Sequence, residues 1–158
     1  MQIRPLVDGD EAAVMSLNEE SVEYLSPMTA DSLQRLRVVT EHALVCEVDG
    51  QVAGFAVAYE PGADYPSINY RWHEQRFDDF LYLDRIAVNA SFRRRGVASA
   101  LYDAMEGTAA PHGRMVCEVY SEPPNHQSLA FHERRGYREV GHLMQANGHE
   151  CVMLVKEL

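Results

Sequence analysis

Cysteine is scarce in this chain of 158 residues: there are three, Cys46, Cys117 and Cys151, an odd number set far apart. That argues against a disulfide framework and fits reduced thiols, each a small core residue. Basic residues are also few. Fourteen Lys and Arg stand against 24 Asp and Glu, a net charge of -10, which excludes an unpatterned nucleic-acid binder because such proteins need a basic face for phosphates. No apolar run approaches the roughly 20 residues of a membrane span. The opening residues MQIRPLVDGDE lack the apolar centre of a signal peptide, so a cytoplasmic protein with neither a membrane nor a nucleic-acid partner is expected. Internal repeats and low-complexity tracts are absent. His42, His73, His112, His126, His142 and His149 show no paired ligand spacing, and no metal is expected.

What is present fits one compact domain over residues 1–158, with 46% hydrophobic and 24% charged residues. The most telling stretch is Arg93 to Ala98, RRRGVA. An apolar, strand-like run, FLYLDRIAV from Phe80 to Val88, precedes it, and Val97, Leu101, Ala104 and Met105 follow at helical spacing. Strand, short loop and helix N-terminus together suit a phosphate group, since the first helical N–H groups are unpaired and the helix dipole is positive there. Gly96 lets a ligand approach the backbone, and three arginines add charge. By itself the stretch is equally what an ordinary basic surface loop looks like. No Gly-Lys-Ser or Gly-Lys-Thr follows the glycine, which argues against a nucleotide-hydrolysing loop, and the three glycines of a dinucleotide fingerprint are missing.

Along the chain, Gln2 to Leu6 reads as a short strand, with Asp8 and Glu11 as a capping pair for a helix reaching about Glu20. Thr29 or Asp31 caps a second helix striped by Leu33, Leu36 and Val39. Ala43–Val48 and Val52–Tyr59 read as strands joined by an Asp49-Gly50 hairpin turn. Glu60 to Asp79 shows no periodicity and reads as a long loop holding Tyr65, Tyr70, Trp72 and Phe77. Arg114 to Ser121 is a strand stopped by Pro123-Pro124, and Asn125 caps a helix that ends at Gly136. Tyr137–Gln145 and His149–Lys156 close the chain as strands around Asn147-Gly148. The pattern is α/β, a mixed central sheet with helices on both faces.

In the stretch NHQSLAFHERRGY, residues Ser128, Phe131, His132 and Arg135 share one helix face. If the strands before the two helix starts lie side by side, an opening in the sheet would hold a long ligand with its phosphates at Gly96 and its other end near Asn125. In these residues the chain resembles the GNAT superfamily of N-acetyltransferases. The acetyl-CoA loop of that superfamily reads R or Q, x, x, G, x, G or A, and Arg93 to Ala98 matches every specified place. Asn125, Ser128, Phe131, Gly136 and Tyr137 follow a later family stretch in order and spacing, and Ile86-Ala87-Val88 matches the strand end beside the pantetheine arm.

The resemblance implies a single-domain GNAT fold and acyl transfer from acetyl-CoA, as co-substrate, to a small-molecule or peptide amine in a ternary complex. It implies backbone pairing of Ile86 and Val88, either side of Ala87, with pantetheine. It further implies that N–H groups of Arg94, Arg95, Gly96, Val97, Ala98 and Ser99 hold the pyrophosphate beside Arg93, and that Asn125, with Ser128 and Phe131 on its helix, meets CoA. An alkyl amine has a pKa of about 10, so a base or water chain must deprotonate it, and the leaving thiolate benefits from an acid. Backbone N–H groups near Val88 would polarise the thioester carbonyl.

The chain departs from the family pattern twice. His132 stands where the later stretch usually has tyrosine, and it is either the acid or a solvated helix histidine. Tyr82 stands where some members place a glutamate base. Glu118, alternating with Val116 and Tyr120 on an apolar strand, and Asp84, beside Arg85, are the carboxylates left for that role, or for structural bonds. The loop of residues 60–79, with Tyr65, Tyr70, Trp72 and His73, is expected either to wall the acceptor site or to pack as an aromatic loop or homodimer contact. A module that binds acyl-CoA without turnover and a purely structural interaction domain are the competing classes.

Overall fold

The computed structural model describes all of residues 1–158. Its strands are β1 (Gln2–Pro5), β2 (Ala43–Val48), β3 (Gln51–Tyr59), β4 (Leu81–Val88), β5 (Arg114–Glu122), β6 (Arg138–Met144) and β7 (Glu150–Glu157). The helices are α1 (Glu11–Glu20), α2 (Ala30–Val39), α3 (Ile68–Glu74), α4 (Val97–Ala109) and α5 (His126–Arg134). The strands form one mixed sheet in the order β1-β2-β3-β4-β5-β7-β6. β4 and β5 pair in parallel at Leu81↔Met115 and Tyr82↔Val116. β5 with β7, and β7 with β6, run antiparallel. Within this fold the chain forms two compact units, residues 1–59 with 83–108 and residues 60–82 with 109–158.

In the first unit, the β2–β3 turn uses Asp49 and Gly50 with φ of 53° and 76°, the left-handed pair that matches strand twist and that Asp-Gly supplies at low cost. Thr29 caps α2 by accepting from the Ser32 amide, as expected of that position. The start of α1 differs from expectation. Asp10, rather than Asp8, stands at its N-cap but makes no side-chain bond into the helix; its carboxylate turns back to accept from the Val7 amide at 3.0 Å and from Arg4 at 2.7 and 2.9 Å. The Arg4 guanidinium, together with the Val7 amide, holds the Asp10 carboxyl below its ordinary range. A one-turn 3-10 segment, Asp8–Asp10, leads in, so the sequence spacing placed the cap two residues early.

One glycine of this unit sets how closely its parts approach. A Cβ on Gly54 of β3 would meet the Ala87 carbonyl oxygen at 2.8 Å, Val97 Cγ1 at 2.9 Å and Leu101 Cδ1 at 3.3 Å. Backbone and a buried helix residue cannot both yield, so Gly54→Val is expected to cost about 1–3 kcal/mol. Thermal unfolding should show it as a fall of roughly 2–4 °C per kcal/mol, and an unchanged Tm would mean that β3, β4 and α4 pack less tightly than described.

In the second unit the expected long loop contains α3, a helix of seven residues capped by Ser67, whose side chain accepts from the Tyr70 amide. Tyr70 and His73 lie inward, buried among Phe80 and Tyr82, so these two rings follow the packed-aromatic alternative. Burial lowers the His73 pKa to about 4, so this ring is neutral at physiological pH. Trp72 takes the Arg76 guanidinium on its ring, 3.6 Å from the centroid. Beneath it lies Gly141, where a Cβ would come within 2.7 Å of the indole. All three cysteines are buried and unbridged.

Candidate active site

The first unit carries the loop of residues 89–99. β4 ends at Val88, and the Asn89 amide donates to the Ala53 carbonyl at 2.9 Å. A 3-10 turn, Ala90–Phe92, then delivers the chain to Arg94, a non-glycine residue at φ 60°, and to Gly96 at φ 82°. The Ala100 amide donates to the Gly96 carbonyl at 2.9 Å. Gly96 is therefore the residue at which α4 begins, and the amides of Val97, Ala98 and Ser99 precede the first intrahelical bond. A side chain on Gly96 would point into open space, with nothing within 4 Å. Arg93, Arg94 and Arg95 are exposed; the Arg95 guanidinium leans to Asp49 at 3.3 Å and its amide donates to the Phe92 carbonyl at 3.4 Å. Ile86 and Val88 are half-buried on either side of buried Ala87.

Asp84 belongs to the same unit and pairs with its neighbour Arg85. Its carboxylate meets Arg85 Nε at 3.0 Å, while Arg85 Nη1 reaches Asn18 Oδ1 at 2.9 Å and the Ser26 carbonyl at 3.3 Å. Asn18 is buried on α1 and itself donates to the Ser26 carbonyl at 3.0 Å. The ion pair anchors the segment after α1.

The second unit brings Glu118 together with three residues from different elements. Alternation on β5 puts Glu118 on the face shared with Tyr120, while Met115, Cys117 and Val119 are buried. Its Oε1 accepts from the Tyr82 hydroxyl at 2.9 Å and from Asn69 Nδ2 at 2.9 Å. Asn69 Oδ1 in turn accepts from Gln145 Nε2 at 2.9 Å. Cys151 of β7 lies close enough to feel the charge: its thiol is pushed up to about 12, by burial first and then by Glu118 and Glu150. Tyr82, the residue that departs from the family pattern, is the phenol that donates to the carboxylate. The sequence reading missed Asn69 and Gln145.

Asn125 caps α5: its side-chain Oδ1 accepts from the Ser128 amide at 3.2 Å. His132 is 4% exposed, its ring edge-on to Phe131 and Tyr137. Its Nδ1 lies 2.7 Å from the Ser128 carbonyl oxygen. A carbonyl only accepts, so the proton sits on Nδ1, and Nε2 of the neutral ring is an acceptor. Phe131 is half-buried with the Arg135 guanidinium 5.6 Å from its ring centroid. No group of three or more His, Cys, Asp or Glu is arranged to hold a metal ion.

Residues 11–137 match the model of the acetyltransferase (GNAT) family. No curated protein sequence matches the chain. Among solved structures, Ard1 from Thermoplasma volcanium is similar with a TM-score of 0.79 at 22% identity, covering 99% of this chain and 97% of that one. The ribosomal-protein-alanine N-acetyltransferase from Brucella melitensis aligns with a TM-score of 0.72 at 20% identity over 100% of both chains. Arabidopsis thaliana Naa50, solved with the bisubstrate analogue CoA-Ac-MVNAL, gives 0.74 at 12% identity over 99% and 98%. No helix of this chain is long and apolar enough to cross a membrane.

Proposed function

We propose that this chain, which belongs to the GNAT acetyltransferase family and takes acetyl-CoA as its co-substrate, transfers the acetyl group to a primary amine by direct attack in a ternary complex. The observation that carries the proposal is Glu118, a carboxylate in the apolar middle of β5, held through one oxygen by Tyr82 and Asn69 at 2.9 Å each. A carboxylate so held is suited to take a proton from the ammonium form of the acceptor.

The remaining parts follow from the chemistry. The amides of Arg94 to Ser99 would receive the pyrophosphate of CoA, and the backbone of Ile86 and Val88 its pantetheine arm. Amide groups near Val88 would stabilise charge on the thioester oxygen. Glu118 takes one proton from the ammonium, the freed lone pair attacks the thioester carbon, the C–S bond breaks, and the second proton that nitrogen loses neutralises the leaving thiolate. The structural neighbours include enzymes named for ribosomal-protein alanine. An α-amine with a pKa of about 8 asks less of a carboxylate base than an alkyl amine at about 10, and both support peptide termini as the first acceptors to try.

His132 would protonate the leaving thiolate only as an imidazolium, because its neutral tautomer offers no proton at Nε2. Turnover of His132→Phe is therefore expected to fall while CoA affinity is kept, and the high-pH limb set by the histidine is expected to disappear from the pH–rate profile. An unchanged profile would remove His132 from the reaction. The same tautomer favours a second reading, a module that binds acyl-CoA without turnover. Tight CoA binding with no amine-dependent thiol release across a broad panel would select it.

A further inference from the structure

We propose that Asn69 is a positioning residue for the base and that Gln145 sets the direction in which its amide points. This rests on the reading of Glu118 as the base. The chain of bonds has a fixed sense. The Leu143 carbonyl only accepts, and Gln145 Nε2 donates to it at 3.2 Å. That fixes which end of the Gln145 amide faces inward, and the same Nε2 donates to Asn69 Oδ1 at 2.9 Å. With its oxygen so engaged, Asn69 presents Nδ2 to Glu118 Oε1. A main-chain carbonyl on β6 thereby decides, through two amides, that the carboxylate receives an N–H rather than a second carbonyl oxygen.

The consequence is electrostatic. A donor stabilises the carboxylate form, and a carbonyl oxygen at the same place would destabilise it. Glu118 also meets the Tyr82 phenol from β4 and feels Cys151 of β7, with Glu150 beside that thiol, while Tyr120 shares its face of β5. His149 packs edge-on to Tyr120, and neutral His73 of α3 lies against Tyr82. Among these contacts Asn69 is the neutral group whose sign reverses when it turns over.

Two variants test this. Asn69→Leu removes the donor. Gln145→Glu never touches Glu118, but its carboxylate accepts where the amide donated, so Asn69 turns its Nδ2 towards residue 145 and its oxygen towards Glu118. In both, the midpoint of the low-pH limb of kcat/KM is expected to rise by about one pH unit, a tenfold loss below the limb that is recovered above it. The double variant should shift no further than the larger single one, because the two act through one amide. A merely structural role would lower the rate at every pH.

Titration of the Glu118 carboxyl by carbon NMR, assigned by Glu118→Gln and needing no acceptor, separates this proposal from the reading beneath it. An unmoved Glu118 midpoint in folded Gln145→Glu overturns the relay. A midpoint that moves in both variants while the rate profile stays fixed upholds the relay and overturns Glu118 as the base.

Discussion

Glu118→Gln is expected to lower amine acetylation by about 10²–10⁴-fold, the usual contribution of a positioned general base, with acetyl-CoA affinity kept. The substitution is close to isosteric, and the amide oxygen still accepts from Tyr82 and Asn69, which reach Oε1 at 2.9 Å each. What is lost is the second oxygen: an amide nitrogen there cannot accept a proton. The ammonium form of the acceptor then keeps its proton, and attack proceeds only through the deprotonated fraction in solution. Raising the pH should therefore rescue the variant in proportion to free amine. Initial rates over a pH series, paired with calorimetry for acetyl-CoA, check both halves. A variant with wild-type turnover at neutral pH would assign proton removal elsewhere.

Gly96→Asp is expected to weaken acetyl-CoA binding by about 10- to 100-fold with little loss of folding stability, the energy of one or two charge-assisted hydrogen bonds. Crowding within the protein is not the cause, since a Cβ on Gly96 meets nothing within 4 Å. The φ of 82° costs a non-glycine residue about 1–2 kcal/mol. Set against that, Asp is a favoured residue at the start of a helix and accepts from the amides that follow. Those are the donors a pyrophosphate needs, and the new carboxylate also repels it. Gly96→Asn occludes the same amides without the charge and should fall between the two. Calorimetry at two salt concentrations measures the difference, which should shrink as salt rises. Unchanged affinity in Gly96→Asp would place the phosphates elsewhere.

The parts of this protein that could be read from sequence are those governed by neighbours in the chain. Asp49-Gly50 needs no tertiary information to make its turn, and Thr29 and Asn125 cap their helices through residues three places on. Glu118 stood out because an acidic side chain in an apolar strand needs a partner. Helix α3 was hidden because its Ser67 cap and inward Tyr70 and His73 lie among prolines and glycine, in a segment too short to show a helical period. Asn69 and Gln145 gave no signal at all. They lie 49 residues from Glu118 and 76 residues from Asn69, respectively, and only the packing of α3 and the end of β6 brings them into one line. Gly54 owes its role to a close approach of β3, Ala87 and α4 that no local pattern records.

The most direct test is amine-dependent release of the free CoA thiol, with mass spectrometry of the acceptor, across a panel of peptide N-termini, lysine side chains and polyamines. The expected result is thiol release that requires one class of amine, an acetyl group on its nitrogen, and abolition of both in Glu118→Gln with CoA binding retained. Tight CoA binding without release for any amine, or equal release in Glu118→Gln, would contradict it.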